Sequence, residues 1–398
     1  MLRRAEYLKR LLGFKDKQLI KIVTGVRRCG KSTLFELYQA ELLKSGVRPE
    51  QIQSLNLEDM DNEALKNYRV LYAHVKKRLV PGRMNYIFLD EIQNVPDFEK
   101  AADGLFIKKN VDLYLTGSNS KIQSGEWATL LSGRYVEIHL FPLSFKEYAA
   151  AFTAESRADN FQRYLADSSF PYTLQLCGDQ KQIRDYLGGI YNTIVLKDVV
   201  ENKKIRNISR LESVIKFMAD NIGNLTSIKK ISDTMASDGL KVLPLTVESY
   251  LDALRDSYIL YRAGRYDVKG RKLLQTLDKY YLVDMGLRHY LLGRQRSDSG
   301  RELENIVYLE LLRRGYRVYI GKVGDKEVDF VAESLRGVEY YQVADTVRGE
   351  TALRRELSAL AVIRDHNPKF LLTRDFDPPV SHNGIKQLNV LDWLGEKY

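Results

Sequence analysis

Blocks of β-branched apolar residues alternate with residues at helical spacing through the first third of the chain. Lys17 to Thr24 (KQLIKIVT) is a short β-branched run that stops at Gly25. From Lys31 to Ser45 the apolar residues Leu34, Leu37, Tyr38 and Leu42 recur at the three- and four-residue spacing of a helix. Ile52 to Leu57, Met84 to Asp90, Val111 to Thr116 and Tyr135 to Leu140 read as further strands. Five strands alternating with helices predict a mostly parallel sheet that takes its ligand at the carboxyl edge.

Beyond Pro142 the pattern turns helical as far as about Asn207. Ile183, Tyr186, Leu187, Ile190, Tyr191 and Ile194 form one apolar stripe there, which predicts a helical layer following the sheet. Between Ile208 and Gly293 come two or three helical stretches. Two short runs, Tyr258 to Arg262 and Lys272 to Thr276, can then pair as a hairpin around Gly264 to Gly270. Helices followed by a small hairpin predict a winged helix. The expected divisions are 1–143, 144–207, 208–293 and 294–398.

Composition narrows the class. The chain has 398 residues, 44% apolar and 29% charged, an ordinary balance for several folded domains. Its apolar runs fall far short of the roughly 18 residues that span a bilayer. Lys9, Arg10 and Lys15 interrupt any apolar stretch of signal-peptide length. Only two cysteines occur, Cys29 and Cys177, which fits a reducing compartment, and a cytoplasmic location is expected. The net charge of +10 suits a polyanionic partner as well as it suits simple solubility. Scattered cysteines and histidines give no zinc spacing and no cysteine or serine triad.

The chemistry begins where the first strand ends. Gly25-Val26-Arg27-Arg28-Cys29-Gly30-Lys31-Ser32, followed by Thr33, is a P-loop between a strand and a helix. Glycine-permitted backbone amides and the helix N-terminus would wrap the phosphates of ATP, Lys31 would reach the β- and γ-phosphates, and the Ser32 hydroxyl would ligate Mg²⁺. The run Met84 to Asp90 closes with Asp90-Glu91 and reads as a Walker B strand. Asp90 would hold Mg²⁺ through water, and Glu91, free of the metal, would orient or deprotonate the attacking water. Ser118 and Asn119, after Val111 to Thr116, are candidate sensors of the γ-phosphate or the attacking water, with a hydrogen-bonded turn as the plain alternative. Arg134 is a candidate arginine finger, acting in cis or from a neighbouring subunit, and a surface ion pair is its plain alternative.

The segments TGVRRCGKSTL, YIFLDEIQ, YLTGSNS and LSGRYVEIHLFPLSFKEY resemble prokaryotic AAA-type ATPases that carry a C-terminal domain of unknown function. Arg27, Arg28, Gly133 and Arg134 match hallmarks of that group. The resemblance implies the same roles for Lys31, Ser32, Asp90, Glu91, Ser118 and Arg134. It also supports a winged helix through LTVESYLDALRDSYILY and KYYLVDMGLR. Ser168-Ser169-Phe170-Pro171 departs from the group, which has glycines before its phenylalanine-proline pair.

The expected fold class is therefore α/β: a P-loop AAA-type parallel sheet with a helical lid, a winged-helix domain, and a C-terminal α/β domain resembling the restriction-endonuclease-like fold. The winged helix is ambiguous in charge. Its groove-reading helix, Thr246 to Asp256, carries Glu248, Asp252 and Asp256 against Arg255, a composition that phosphates repel. Its wing carries Arg262, Arg265, Lys269, Arg271 and Lys272, which suits DNA backbone contact or simple solvation. In the last hundred residues Glu304, Asp329 and Gln342 sit on a helix, a strand and a strand, the order in which endonuclease-like folds gather Mg²⁺. Ala344 stands where that chemistry expects a lysine, with Lys322 or Lys326 as substitutes. Three functions stay open: an ATPase that repositions a nucleic-acid-binding module, an ATP-driven switch on protein partners, and an ATP-gated nuclease.

Overall fold

The computed structural model describes residues 2–117, 131, 133–176, 178–201, 205, 207–294 and 299–396. The chain folds as two compact units. The first comprises Met1–Pro142 with Thr193–Val199 and Asp256–Tyr258, and the second comprises Leu143–Asn192, Val200–Arg255 and Ile259–Tyr398.

In the first unit β1 (Ile20–Thr24), β2 (Ile52–Asn56), β3 (Asn85–Asp90), β4 (Val111–Gly117) and β5 (Tyr135–His139) form one sheet in the order β2-β3-β4-β1-β5. Every pairing is parallel, as the alternating pattern requires. Successive side chains alternate between the two faces. Ile87, Leu89, Leu113 and Leu115 point to one face, with Leu71, Val75, Ala101, Ala102 and Leu105 from the helices Tyr68–Lys77 and Phe98–Phe106. Phe88 and Tyr114 point to the other, stacked at 4.8 Å, and meet Phe35 and Tyr38 of the helix Lys31–Lys44. Truncating Phe88 to alanine would cost about 3–5 kcal/mol at such a site.

The first strand begins three residues later than the apolar run. Lys21 is fully buried at its start, where its ammonium bonds Asp112 of β4, so a charge that reads as surface is an internal pair. Burial lowers the Lys21 pKa and raises that of Asp112, and their mutual attraction opposes both shifts.

In the second unit the helix-rich segments Leu143–Asn192 and Val200–Arg255 precede an eight-stranded sheet. Its strands are β6 (Leu260–Asp267), β7 (Lys272–Leu282), β8 (Arg317–Val323), β9 (Lys326–Ser334), β10 (Gly337–Ala344), β11 (Lys369–Thr373), β12 (Val380–His382) and β13 (Ile385–Asn389), in the order β12-β13-β11-β10-β9-β8-β6-β7. The hairpin expected from Tyr258 to Arg262 and Lys272 to Thr276 is longer than its apolar runs, pairing Leu260 with Leu282 and Asp267 with Lys272. It does not stand free as a wing. Through β6 it joins β8 in parallel and forms the margin of the larger sheet.

The serine pair that departs from the glycines of the resembling group has a physical signature. Ser168 takes φ 96° and ψ 151°, a region that is essentially reserved for glycine. Gly286 explains the tight packing there, because a Cβ on it would lie 2.4 Å from the Ser168 Cβ. Asp284 fastens the loop, accepting from Ser169 N–H at 2.6 Å and capping the helix Met285–Leu292 through Leu287 N–H at 2.7 Å.

Among the described residues no helix is long and apolar enough to cross a membrane.

Candidate nucleotide site

The phosphate loop leaves the carboxyl end of β1 in a conformation that its sequence permits. Gly25 has φ 147°, and a Cβ there would meet the Leu140 carbonyl at 2.2 Å, so no other residue fits. Arg28 takes φ 65° and Gly30 φ 99° before the helix Lys31–Lys44 begins. That helix has no side-chain cap and no acidic residue in its first turn. Its leading amides and the positive end of its dipole are the donor set that an anion such as a polyphosphate requires. Ser32 is exposed and Thr33 half-buried in this first turn, Val26 and Cys29 are buried, and Arg27 pairs with Glu58 at 3.5 Å. Burial pushes the Cys29 thiol up, opposed by the charges of Lys31 and Arg4, so it stays protonated.

Lys31 is buried. Its ammonium donates to the carbonyls of Gly25 at 3.2 Å and Val26 at 3.4 Å and lies 3.7 Å from Glu91 Oε1. Asp90 and Glu91 close β3, and the register that pairs Leu89 with Leu115 sets Asp90 beside Thr116 of β4. The Thr116 hydroxyl donates to Asp90 Oδ1 and accepts from Glu91 N–H at 2.9 Å. Glu91 has φ 52° and ψ 48°, a left-handed conformation costing about 1–3 kcal/mol in a residue with a Cβ. Thr116, with Asn94, whose side-chain amide donates to the Glu91 carbonyl at 3.0 Å, holds it there. Gln93 donates to Glu91 Oε2.

Thr116, Gln93 and Arg4 were not among the residues that the sequence pattern singles out. Arg4, buried ahead of the helix Ala5–Gly13, donates to the Cys29 carbonyl at 3.2 Å and the Phe141 carbonyl at 2.7 Å, and so braces the loop from behind. Only the strand register could have pointed to Thr116, and nothing local marks Arg4.

Arg134 lies elsewhere. Pairing of Ile20 with Tyr135 and Thr24 with His139 sets Arg134 at the amino edge of the sheet, whereas the phosphate loop leaves the carboxyl edge. Five residues of strand separate the two levels, about 16 Å, more than an arginine spans. Its guanidinium pairs with Asp103 at 3.3 Å and is 47% exposed. Ser118 and Asn119 lie outside the described residues.

In the second unit Glu304, Asp329 and Gln342 do come together. Asp329 N–H donates to Gln342 Oε1 at 3.3 Å, and Glu304 shares Lys279 with Glu327, at 2.9 Å and 2.8 Å. Lys322 and Lys326 are not the lysines found there. On the hairpin Lys269, Arg271 and Lys272 are exposed at the turn, Arg262 pairs with Asp278 at 2.8 Å, and Arg265 is half-buried. Lys269 and Arg271 border a cleft of about 720 Å³ with Arg364, a cation that the sequence pattern did not connect with them.

The parallel sheet, the phosphate loop at its carboxyl edge and the adjacent Asp90-Glu91 define a P-loop ATPase of AAA type. The AAA domain family matches residues 17–149, and a domain of unknown function (DUF8612) matches residues 158–298. An uncharacterized protein of Haemophilus influenzae is 37% identical over 99% of this chain and 98% of its own length. The chain belongs to the same family of AAA-domain proteins as that relative. A second uncharacterized protein, from Methanocaldococcus jannaschii, is 28% identical over 85% of this chain and 77% of its own. Among solved structures, a Walker-type ATPase of Pyrococcus abyssi has a TM-score of 0.49 at 15% identity, covering 73% of this chain and 96% of its own. The Orc1 protein of Aeropyrum pernix, in complex with DNA, has a TM-score of 0.31 at 14% identity over 73% of this chain and 92% of its own.

Proposed function

We propose that this chain is a Mg²⁺-dependent ATP hydrolase, acting in the cytoplasm, whose nucleotide state repositions a nucleic-acid-binding module built on its C-terminal residues. The observation that carries the hydrolase is the buried Lys31–Glu91 pair next to Asp90, below an uncapped helix N-terminus. Bound Mg²⁺ would neutralise charge on the transferring phosphoryl group, with Ser32 and Asp90 as the residues to hold it. Lys31 exchanges its carbonyl partners for phosphate oxygens. Released from Lys31, the Glu91 carboxylate turns to a water and accepts its proton, with Gln93 fixing the second carboxylate oxygen. Thr116 keeps Asp90 and the Glu91 backbone in register through its single hydroxyl. Arg134, remote from its own phosphate loop, serves a neighbouring copy.

The nucleic-acid module rests on Lys269, Arg271 and Arg364, cations exposed on the second unit around one cleft, and on Lys272, exposed at the same hairpin turn. Steady-state ATP turnover with and without duplex DNA tests the link. The expected result is stimulation by DNA. Binding should also fall less steeply with salt once Lys269, Arg271, Lys272 and Arg364 are replaced by alanine, each lost phosphate contact flattening the log–log slope by about 0.9. Turnover indifferent to DNA, with an unchanged slope, would contradict it.

One observation favours a second reading, a switch acting on protein partners. The helix Pro244–Asp256 exposes Glu248 and Asp252 behind an exposed Leu243 and Leu245, 73% and 79% accessible, a surface better matched to a protein than to phosphates.

A further inference from the structure

An endonuclease-like site at Glu304, Asp329 and Gln342 calls for a divalent ion, and the groups around these residues do not fit one. Glu304 Oε1 already accepts from the Lys279 ammonium at 2.9 Å and the Tyr281 hydroxyl at 2.6 Å. Its other oxygen faces Gly223, where a Cβ would come within 3.2 Å. Asp329 Oδ2 accepts from Val343 N–H at 2.8 Å. The Gln342 oxygen is taken by Asp329 N–H, and its amide nitrogen donates to Glu356 at 3.1 Å. Among the described residues no group of three or more histidine, cysteine, aspartate or glutamate side chains is disposed to hold a metal ion.

The charge that such a cluster needs comes from the protein itself. Lys279 lies on β7, is 4% exposed, and touches Glu304 at 2.9 Å and Glu327 at 2.8 Å. Burial alone would lower its pKa, but Glu304, Asp329 and Glu327 outweigh that and raise it, so the ammonium stays charged. Burial and the Glu304 charge raise the Asp329 pKa as well, far above the usual carboxylate range. A hard divalent cation takes six or more oxygens, most of them charged or from water. Here the carboxylates are shared with one ammonium and with backbone and phenolic donors.

We propose that Lys279 is the resident cation of this cluster: its ammonium takes the place of a divalent ion between Glu304, Glu327 and Asp329. The cluster is then a charge lock rather than a phosphodiester-cleaving centre. It fastens the hairpin strand β7 to the helix Ser299–Arg313 and to β9, so the basic turn at Lys269 to Lys272 moves with the C-terminal sheet. The lysine missing at Ala344 has a counterpart in Lys279, which fills the site instead of serving it. A buried cluster of this kind tolerates loss of one partner poorly, because the carboxylates are left uncompensated.

Uptake of Mn²⁺ by the nucleotide-free full chain, followed by the loss of the free-ion electron paramagnetic resonance signal, tests the assignment. Wild type is expected to take up no Mn²⁺ in a manner sensitive to Glu304. Lys279→Met should gain one Mn²⁺ per chain, and the gain should disappear in Lys279→Met/Glu304→Gln. Wild-type uptake that Glu304→Gln or Asp329→Asn abolishes would overturn the proposal, as would a folded Lys279→Met with no gain. Should Lys279→Met fail to fold by circular dichroism, the wild-type titration still decides, and Lys279→Arg should fold and stay free of Mn²⁺.

Discussion

The Lys31 ammonium stands 3.7 Å from the Glu91 carboxylate, both side chains nearly excluded from solvent. The loop lysine is thus paired with the residue proposed to activate water. On the proposed mechanism, phosphate binding would release Glu91, because the same cation cannot serve both fully.

Thr116 should matter more to rate than to binding. Its hydroxyl bridges Asp90 Oδ1 and the Glu91 amide, and losing a hydrogen bond to a charged group costs about 1.5–3 kcal/mol. Thr116→Val is expected to lower kcat roughly tenfold or more while nucleotide Kd changes little, and Thr116→Ser should restore most of it. Rate and affinity measured together check this, since a merely structural role would move both.

Arg4 links the segment before the first helix to the phosphate loop through the Cys29 carbonyl. Arg4→Ala leaves buried carbonyls at Cys29 and Phe141 without this donor and is expected to weaken ATP binding and lower stability by about 1–3 kcal/mol. Fluorescent-nucleotide titration and a thermal melt would register both losses.

Arg134, proposed to serve a neighbouring copy, lies at the edge of the sheet opposite its own phosphate loop. Arg134→Ala and Lys31→Ala should each be inactive alone, and mixing them should recover part of the turnover. Recovery absent at all mixing ratios, with Arg134→Ala fully active, would leave only the ion pair with Asp103.

Ser168→Gly should leave the stability of the second unit nearly unchanged. Relief of the strained backbone is worth about 1–3 kcal/mol, offset by the lost Ser168 hydroxyl bond to Phe170 N–H at 3.1 Å and by glycine's greater freedom when unfolded, about 1 kcal/mol. These opposing effects nearly cancel, so the melting temperature should stay close to that of wild type, whereas Ser168→Ala, which loses the bond and keeps the strain, should lower it.

Local signals carried the nucleotide site. The glycines, Lys31, Ser32, Asp90 and Glu91 are contiguous with the strand and helix that fix them, so the alternation of apolar runs already implied the parallel sheet. What the sequence left hidden depends on register and distance along the chain. Thr116 meets Asp90 only through the pairing of β3 with β4, and Arg4 reaches a loop 25 residues on. Lys279 carries no local signal, and its role shows only where β7 lies against Glu304 and Glu327. The hairpin was legible as a hairpin, but its attachment to β8 needed a pairing across some fifty residues of intervening chain.

Steady-state ATP turnover and nucleotide affinity of wild type, Lys31→Ala and Glu91→Gln test the central claim most directly. Lys31→Ala should lose both binding and turnover. Glu91→Gln should still bind ATP while its turnover falls about a hundredfold or more, the usual worth of a positioned general base. Hydrolysis at the wild-type rate in both variants would contradict the account.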